Sequence, residues 1–176
     1  DMASAVEADL KQLDLIMTLH RRLRPAIDTR EIVKEIAARL REELDYRREA
    51  RHAALYADIL EPYANIRVPR IDRDLSTARL LSMEWLEGQP LRASFSASEA
   101  ERGRIGTALF KAWWIPFSHY GVIHGDPHLG NYSVFGGASG AEGINLFDYG
   151  CIRIFPSRFV AGVVDLRGTA DANGRV

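Results

Sequence analysis

Between residues 3 and 23 the apolar residues Val6, Leu10, Leu13, Met17 and Leu19 recur at helical spacing, and Pro25 follows. The pattern predicts one amphipathic helix. Asp28 with Glu31 three residues on reads as a capping box, after which Ile32, Ile36, Leu40 and Leu44 carry one apolar stripe toward Leu55 and Ile59. That stripe predicts a second, long helix stopped by Pro62. The period then changes. Residues 66–71 and 78–85 are short apolar runs around the turn-prone residues 72–76, which predicts a hairpin-like pair of strands. Glu87-Gly88-Gln89-Pro90 breaks the second run, and Ser98 with Glu101 opens a helix that passes through Ile105, Leu109 and Trp113 to about His119. Beyond Gly121 come strands over residues 122–124, 132–135 and 144–147. Residues 136–143 between the last two read as a simple surface turn. The sum is an α+β, mostly helical chain.

Composition narrows what such a chain can do. Over 176 residues, 47% are hydrophobic and 27% charged, close to the soluble globular average, so a folded core is expected. The 23 basic and 24 acidic residues nearly cancel, giving a net charge of -1 and no global field to draw the chain onto nucleic acid or anionic membrane. The single Cys151 cannot form an internal disulfide and lacks the companions of a zinc cluster. This suits a reducing compartment, hence the cytoplasm. No run approaches the roughly 18 apolar residues of a spanning helix, so peripheral contact, at an inner membrane, is the most this sequence predicts. Both ends of the chain look cut.

The chemistry concentrates in His124-Gly125-Asp126-Pro127-His128-Leu129-Gly130-Asn131, which sets an aspartate five residues before an asparagine on a loop between two strands. Asp148, followed by Tyr149 and Gly150, ends the next strand. Phosphoryl transfer needs a carboxylate to orient the attacking hydroxyl or water, and oxygen ligands to hold Mg²⁺ on the phosphates. Asp126 suits the first role. Asn131 and Asp148 are hard oxygen ligands suited to Mg²⁺. Gly150 permits the turn behind Asp148, and His124 supports the loop by packing and hydrogen bonding, since its neighbours are wrong for zinc. Each residue alone would pass for turn chemistry. Their conjunction points to an ATP and Mg²⁺ dependent site.

A second constellation, Glu43, Asp45 and Glu49, lies on the predicted long helix. Asp45 and Glu49 are four apart, and like charges at that spacing cost roughly 0.2–0.5 kcal/mol unless a cation relieves them. A lysine or a metal could do so, and so could Arg41 and Arg48 as a solvated charge network. Spacing leaves both open.

These motifs, together with Met83-Glu84-Trp85-Leu86-Glu87-Gly88, resemble the UbiB (AarF) family of atypical kinases, associated with ubiquinone biosynthesis. The resemblance runs over most of the chain. It implies an incomplete two-lobe, protein-kinase-like fold. Residues 1–87 would form part of the small lobe with a helical extension, and residues 88–176 the large lobe with the catalytic and metal-binding loops. Glu43 and Asp45 would be the family's acidic motif and Glu49 the helix glutamate that pairs with a strand lysine. The backbone of Glu84 and Leu86 would bind adenine. The implied activity is an ATP/Mg-dependent kinase or ATPase supporting ubiquinone biosynthesis, with nucleotide, quinone-pathway lipids or biosynthetic proteins as partners. Leu129 stands where the family usually has proline, and Tyr149 replaces the usual phenylalanine. The Lys-x-Gly-Gln motif, the Ala-rich nucleotide loop and the strand lysine are missing. Lys11, Lys34 and Lys111 all fall on predicted helices. The alternatives are a small-molecule phosphotransferase of the aminoglycoside or choline kinase type and a non-catalytic pseudokinase scaffold. The strand pair within residues 66–85 is expected to expose an edge and an apolar face, inviting a dimer.

Overall fold

The amphipathic stripes fold as helices, and in the computed structural model, which describes residues 2–23, 29–137 and 140–172, the first two form an antiparallel pair. Helix α1 spans Met2–Leu23 and α2 spans Arg30–Glu43. The capping box expected at Asp28 lies outside the described residues. The long second helix is two helices, because the chain breaks at Leu44 and Asp45 and restarts as α3, Tyr46–Leu60. The Asp45 carboxylate accepts the Arg48 N–H at 3.0 Å as the N-cap of α3. A short acceptor side chain that can satisfy an orphan N–H of a new first turn competes with helix continuation. The apolar stripe ran straight through the break.

The expected hairpin over residues 66–85 divides. Ile66–Arg67 forms β1, which pairs in parallel with β5, Gly140–Leu146, rather than with residues 78–85. The rest is an irregular antiparallel ribbon with a bridge between Ile71 and Met83. Asp72 N–H donates to Ser82 O and Glu84 N–H to Arg70 O, at 2.9 and 2.8 Å. The Ser76 hydroxyl inside the turn binds the Asp72 carbonyl, so side-chain and turn bonds replace an extended ladder. Trp85 on this ribbon is 82% exposed.

Strand β2, Gln89–Pro90, lies antiparallel to β4, Tyr132–Gly137, and completes a four-stranded sheet of order β1-β5-β4-β2. Both edge strands are two residues long, which limits edge pairing. A 3-10 turn over Leu91–Ser96 leads into α4, Glu99–Tyr120. The start of α4 is the predicted capping box, in which Ser98 and Glu101 exchange side-chain-to-backbone bonds. Gly121, with φ of 69°, ends it in the left-handed conformation that glycine adopts without strain. The β4–β5 connection is more than a surface turn. Ala141 N–H donates to Glu101 Oε1 at 3.2 Å and Arg104 Nε donates to the Ala141 carbonyl at 3.0 Å, clipping the hairpin to the first turns of α4.

Strands β3, Val122–His124, and β6, Ile152–Ile154, form an antiparallel ribbon, and α5, Ser157–Ala172, packs on α4. One core joins α3, the sheet, α4 and this ribbon through Tyr56, Leu60, Ile105, Ala108, Ile144, Leu146 and Ile152. It draws on residues from both sides of Glu87. Ile144 and Leu146 are almost wholly buried, and each such side chain contributes about 1.5–3 kcal/mol through removal from water. Among the described residues, no helix is long and apolar enough to cross a membrane.

Candidate active site

Strand β5 delivers Asp148 to the mouth of a cleft. Its approach is fixed by Phe147 N–H, which donates to the Asn131 carbonyl at 2.8 Å and ties the end of β5 to the loop before β4. Asp148 adopts φ of 60°, the sole positive φ among the described non-glycine residues. Aspartate tolerates this region better than most side chains, yet such backbone costs about 1–3 kcal/mol and persists only where the surroundings over-determine it. They do so here. His124 Nε2 donates to the carbonyls of Phe147, at 3.3 Å, and Asp148. Tyr149 N–H donates to Glu49 Oε1 at 3.4 Å, the Tyr149 carbonyl lies 3.0 Å from His52 Nδ1, and Gly150 N–H donates to Asp148 Oδ1 at 3.1 Å. The Tyr149 side chain is buried beneath them and its hydroxyl donates to the Leu146 carbonyl at 2.6 Å.

The loop between β3 and β4 brings the second carboxylate. The Asn131 amide nitrogen donates to Asp126 Oδ2 at 3.0 Å and to the Asp126 carbonyl at 3.2 Å. This bond fixes the Asp126 carboxylate and commits the nitrogen of Asn131, so that its amide oxygen is the end available as a hard oxygen donor. His128 caps the short turn between them by accepting Gly130 N–H at 3.1 Å. Leu129, the residue that departs from the motif, packs against the core.

Asp126, Asp148 and Gly150 line one cleft of about 650 Å³ together with Glu49, Arg79 and Met83. Burial holds the Glu49 carboxyl above the usual carboxylate range, and the nearby Asp148 charge pushes the same way against the stabilising Tyr149 N–H. Among the described residues, no lysine lines this cleft: Lys34 pairs with Glu31 at 2.8 Å, and Lys111 Nζ sits 5.8 Å from the centre of the Tyr63 ring. The Arg41 and Arg48 network expected around Asp45 and Glu49 forms elsewhere, since Arg41 pairs with Glu7 at 2.6 Å and Arg48 with Glu42 at 3.1 Å. Asp45 is a helix cap instead. Glu43 ends α2, and its side chain lies outside the described residues.

Glu84 and Leu86 line a different cavity, of about 280 Å³, with Leu60 and Val68. Extended backbone alternates its side chains, so Met83 faces the main cleft while its neighbour Glu84 faces away. The Glu84 N–H is already used by the Arg70 carbonyl. Among the described residues, no group of three or more His, Cys, Asp or Glu side chains could enclose a metal. A nucleotide-borne Mg²⁺ does not require one, because it keeps several waters and takes one or two protein oxygens beside the phosphates. The donor set of Asn131 and Asp148 fits that demand.

Two contributors escaped the motif reading. His52 sits one turn beyond Glu49 on α3, and its only sequence signal is a polar side chain on the same face as the buried Ala53 and Tyr56. Asn145 is fully buried and its amide donates to the Glu87 carbonyl at 3.0 Å and to Ser133 Oγ at 2.8 Å, fastening the 87–88 connection to the sheet. An asparagine inside an apolar strand is the signal there.

Comparison with known proteins bears on this geometry. A family model described as "ABC1 atypical kinase-like domain" matches residues 1–167. The chain is 27% identical over 154 residues to AarF domain-containing protein kinase 1 of Xenopus laevis, covering 86% of this chain and 30% of that protein. It is 30% identical over 157 residues to AarF domain-containing kinase 1 of Drosophila melanogaster, again covering 86% and 30%. It therefore spans about a third of the length of these relatives. Among solved structures, a Mycobacterium tuberculosis protein in complex with erythromycin superposes with a TM-score of 0.74 at 27% identity, over 87% of this chain and 38% of that one.

Proposed function

The chain belongs to the ABC1 atypical kinase-like family, which includes the AarF kinases, and from that premise we propose that its cleft binds Mg-ATP and directs phosphoryl transfer or ATP hydrolysis. The family match, together with the Glu43 to Glu49 block, argues against the aminoglycoside and choline kinase alternative. The observation that supports the reading most is the convergence of Asp126 and Asp148 on one cleft with Asn131 bonded to Asp126.

In this reading the Asp126 carboxylate, held by the Asn131 amide, orients the attacking hydroxyl or water. Asn131 Oδ1 and the Asp148 carboxylate, turned by Gly150 N–H, hold the Mg²⁺. A Mg²⁺ held by these two side chains would supply charge neutralisation on the phosphoryl group. For adenine, the Glu84 carbonyl and the Leu86 N–H are the backbone groups left, given that the Glu84 N–H is spoken for. The parent protein would serve ubiquinone biosynthesis, from the cytoplasm with peripheral contact at the membrane.

A second reading, a non-catalytic scaffold, draws on the absence of a lysine from the cleft lining. Calorimetric titration of Mg-ADP into the chain, its Asp148→Asn variant and a version extended upstream separates the two. Binding that Asp148→Asn loses supports nucleotide capture by this half-site, and binding only by the extended version means the phosphate-pairing cation must be supplied. No binding by any of the three leaves the scaffold.

A further inference from the structure

One helical turn of α3 holds both polar groups of a single peptide residue. Glu49 accepts the Tyr149 N–H, and three residues later His52 Nδ1 lies 3.0 Å from the Tyr149 carbonyl. A carbonyl only accepts, so His52 carries its proton on Nδ1 and donates. Residues three apart on a helix share a face, and here that spacing matches the backbone N–H and C=O of one residue. Tyr149 follows Asp148, whose φ of 60° is the strained element of the site.

We infer that His52 is a positioning residue for the Mg²⁺-binding carboxylate of Asp148, acting through the Tyr149 carbonyl. The inference rests on the nucleotide reading above for its functional consequence and on geometry alone for its structural one. Three side chains converge on the segment: His124 from β3 holds the carbonyls of Phe147 and Asp148, Glu49 holds the Tyr149 N–H, and His52 holds the Tyr149 carbonyl. Without the His52 bond the peptide that joins Tyr149 to Gly150 is free to rotate about its flanking dihedrals. The Gly150 N–H that orients Asp148 Oδ1 moves with it. His52 itself touches no substrate.

The test uses His52→Leu, which keeps bulk and removes the donor, and His52→Asn, whose side-chain Nδ2 falls near the place of the imidazole Nδ1. Two readouts are taken on each chain: hydrogen exchange at the Tyr149 and Gly150 amides without nucleotide, and the Mg²⁺ concentration that half-saturates ADP binding. In His52→Leu, exchange at both amides should quicken and the Mg²⁺ requirement should rise about fivefold or more, as loss of one intramolecular hydrogen bond dictates. His52→Asn should restore both. A purely structural role would lower the melting point of both variants alike without singling out those amides or the Mg²⁺ requirement, and that result overturns the inference. Unchanged exchange in His52→Leu also overturns it. If the unsubstituted chain binds no nucleotide, the nucleotide reading fails while the exchange arm still decides the role of His52.

Discussion

Replacing Tyr149 with phenylalanine removes one oxygen from the centre of the site and leaves the ring. The tyrosine is 2% exposed, its hydroxyl donates to the Leu146 carbonyl at 2.6 Å, and its ring centre lies 5.5 Å from that of Tyr56 and 5.8 Å from that of His124. A phenyl ring fills nearly the same space, so the change isolates the hydrogen bond. The net value of such a bond is about 0.5–1.5 kcal/mol, rising to about 1–3 kcal/mol where the abandoned partner stays buried and unpaired. Leu146 is itself 1% exposed, on a strand paired with β4. We expect a loss of about 1–2 kcal/mol. The expected drop in melting temperature is roughly 2–4 °C per kcal/mol for a chain of this size.

The assay is urea denaturation followed by circular dichroism, with Tyr149→Leu alongside. The phenylalanine variant should lower the midpoint at unchanged slope, since it alters stability without altering the surface exposed on unfolding. The leucine variant, which also loses the ring contacts, should lose at least twice as much. A phenylalanine variant as stable as the original would refute the reasoning. The Leu146 bond would then be no better than the water bonds it replaces, and the tyrosine would have no energetic reason to depart from the phenylalanine usual in kinases.

Two further substitutions probe the surroundings. Because burial raises the Glu49 carboxyl above its ordinary value, the folded chain holds that proton more tightly than the unfolded one, and the Glu49 contribution to stability falls as pH rises from the ordinary glutamate value through the raised one. Glu49→Gln should flatten the slope of stability between acid and neutral pH, and a slope unchanged from the parent chain would contradict the assignment. At Gly88 an added Cβ would stand 2.8 Å from Asn145 Nδ2 and collide with Ser133 Oγ, so Gly88→Ala should cost about 1–3 kcal/mol by overpacking. In a double-mutant cycle with Ser133→Ala the two effects should be less than additive, and strict additivity would place the strain elsewhere.

Hydrophobic period made the helices legible, and turn chemistry made the loops legible, but competition between local options did not show. The stripe from Ile32 to Ile59 is continuous in helical phase, yet Asp45 caps a new helix in its middle. Capping and interior positions of aspartate look alike until the backbone is known. Ile66 and Arg67 read as half of a hairpin because strand patterns carry no address, and their partner proved to be Ile144 and Asn145 nearly eighty residues on. Asp126, Asn131 and Asp148 stood out because phosphoryl-transfer chemistry would fix residue type and spacing together, and the fold brings Asp126 and Asp148 to one cleft. His52 was not, because its role depends on a backbone carbonyl contributed by residue 149, and a backbone contact leaves no mark of its own in sequence.

The order of the site is generated from within a limited span. Every group that fixes Asp148 comes from α3, the β3–β4 region, or the turn after β5, between Glu49 and Gly150. Among the described residues, Glu42 at the end of α2 ties that helix to this body, its carboxylate meeting Arg48 at 3.1 Å and Arg153 at 3.3 Å. Such partly exposed pairs are worth about 0–1 kcal/mol each, so α2 can shift without releasing Asp148. Among the described residues, the cleft so organised is lined by the carboxylates of Glu49, Asp126 and Asp148, with Arg79 beside them. Two unit charges 4 Å apart interact by about 4 kcal/mol at the effective dielectric of a protein surface. A polyphosphate entering without its metal would meet that repulsion more than once. On the nucleotide reading proposed above, preorganised carboxylates would make the cation a condition of entry, and a rigid Asp148 would favour the nucleotide that carries Mg²⁺ over a bare polyphosphate.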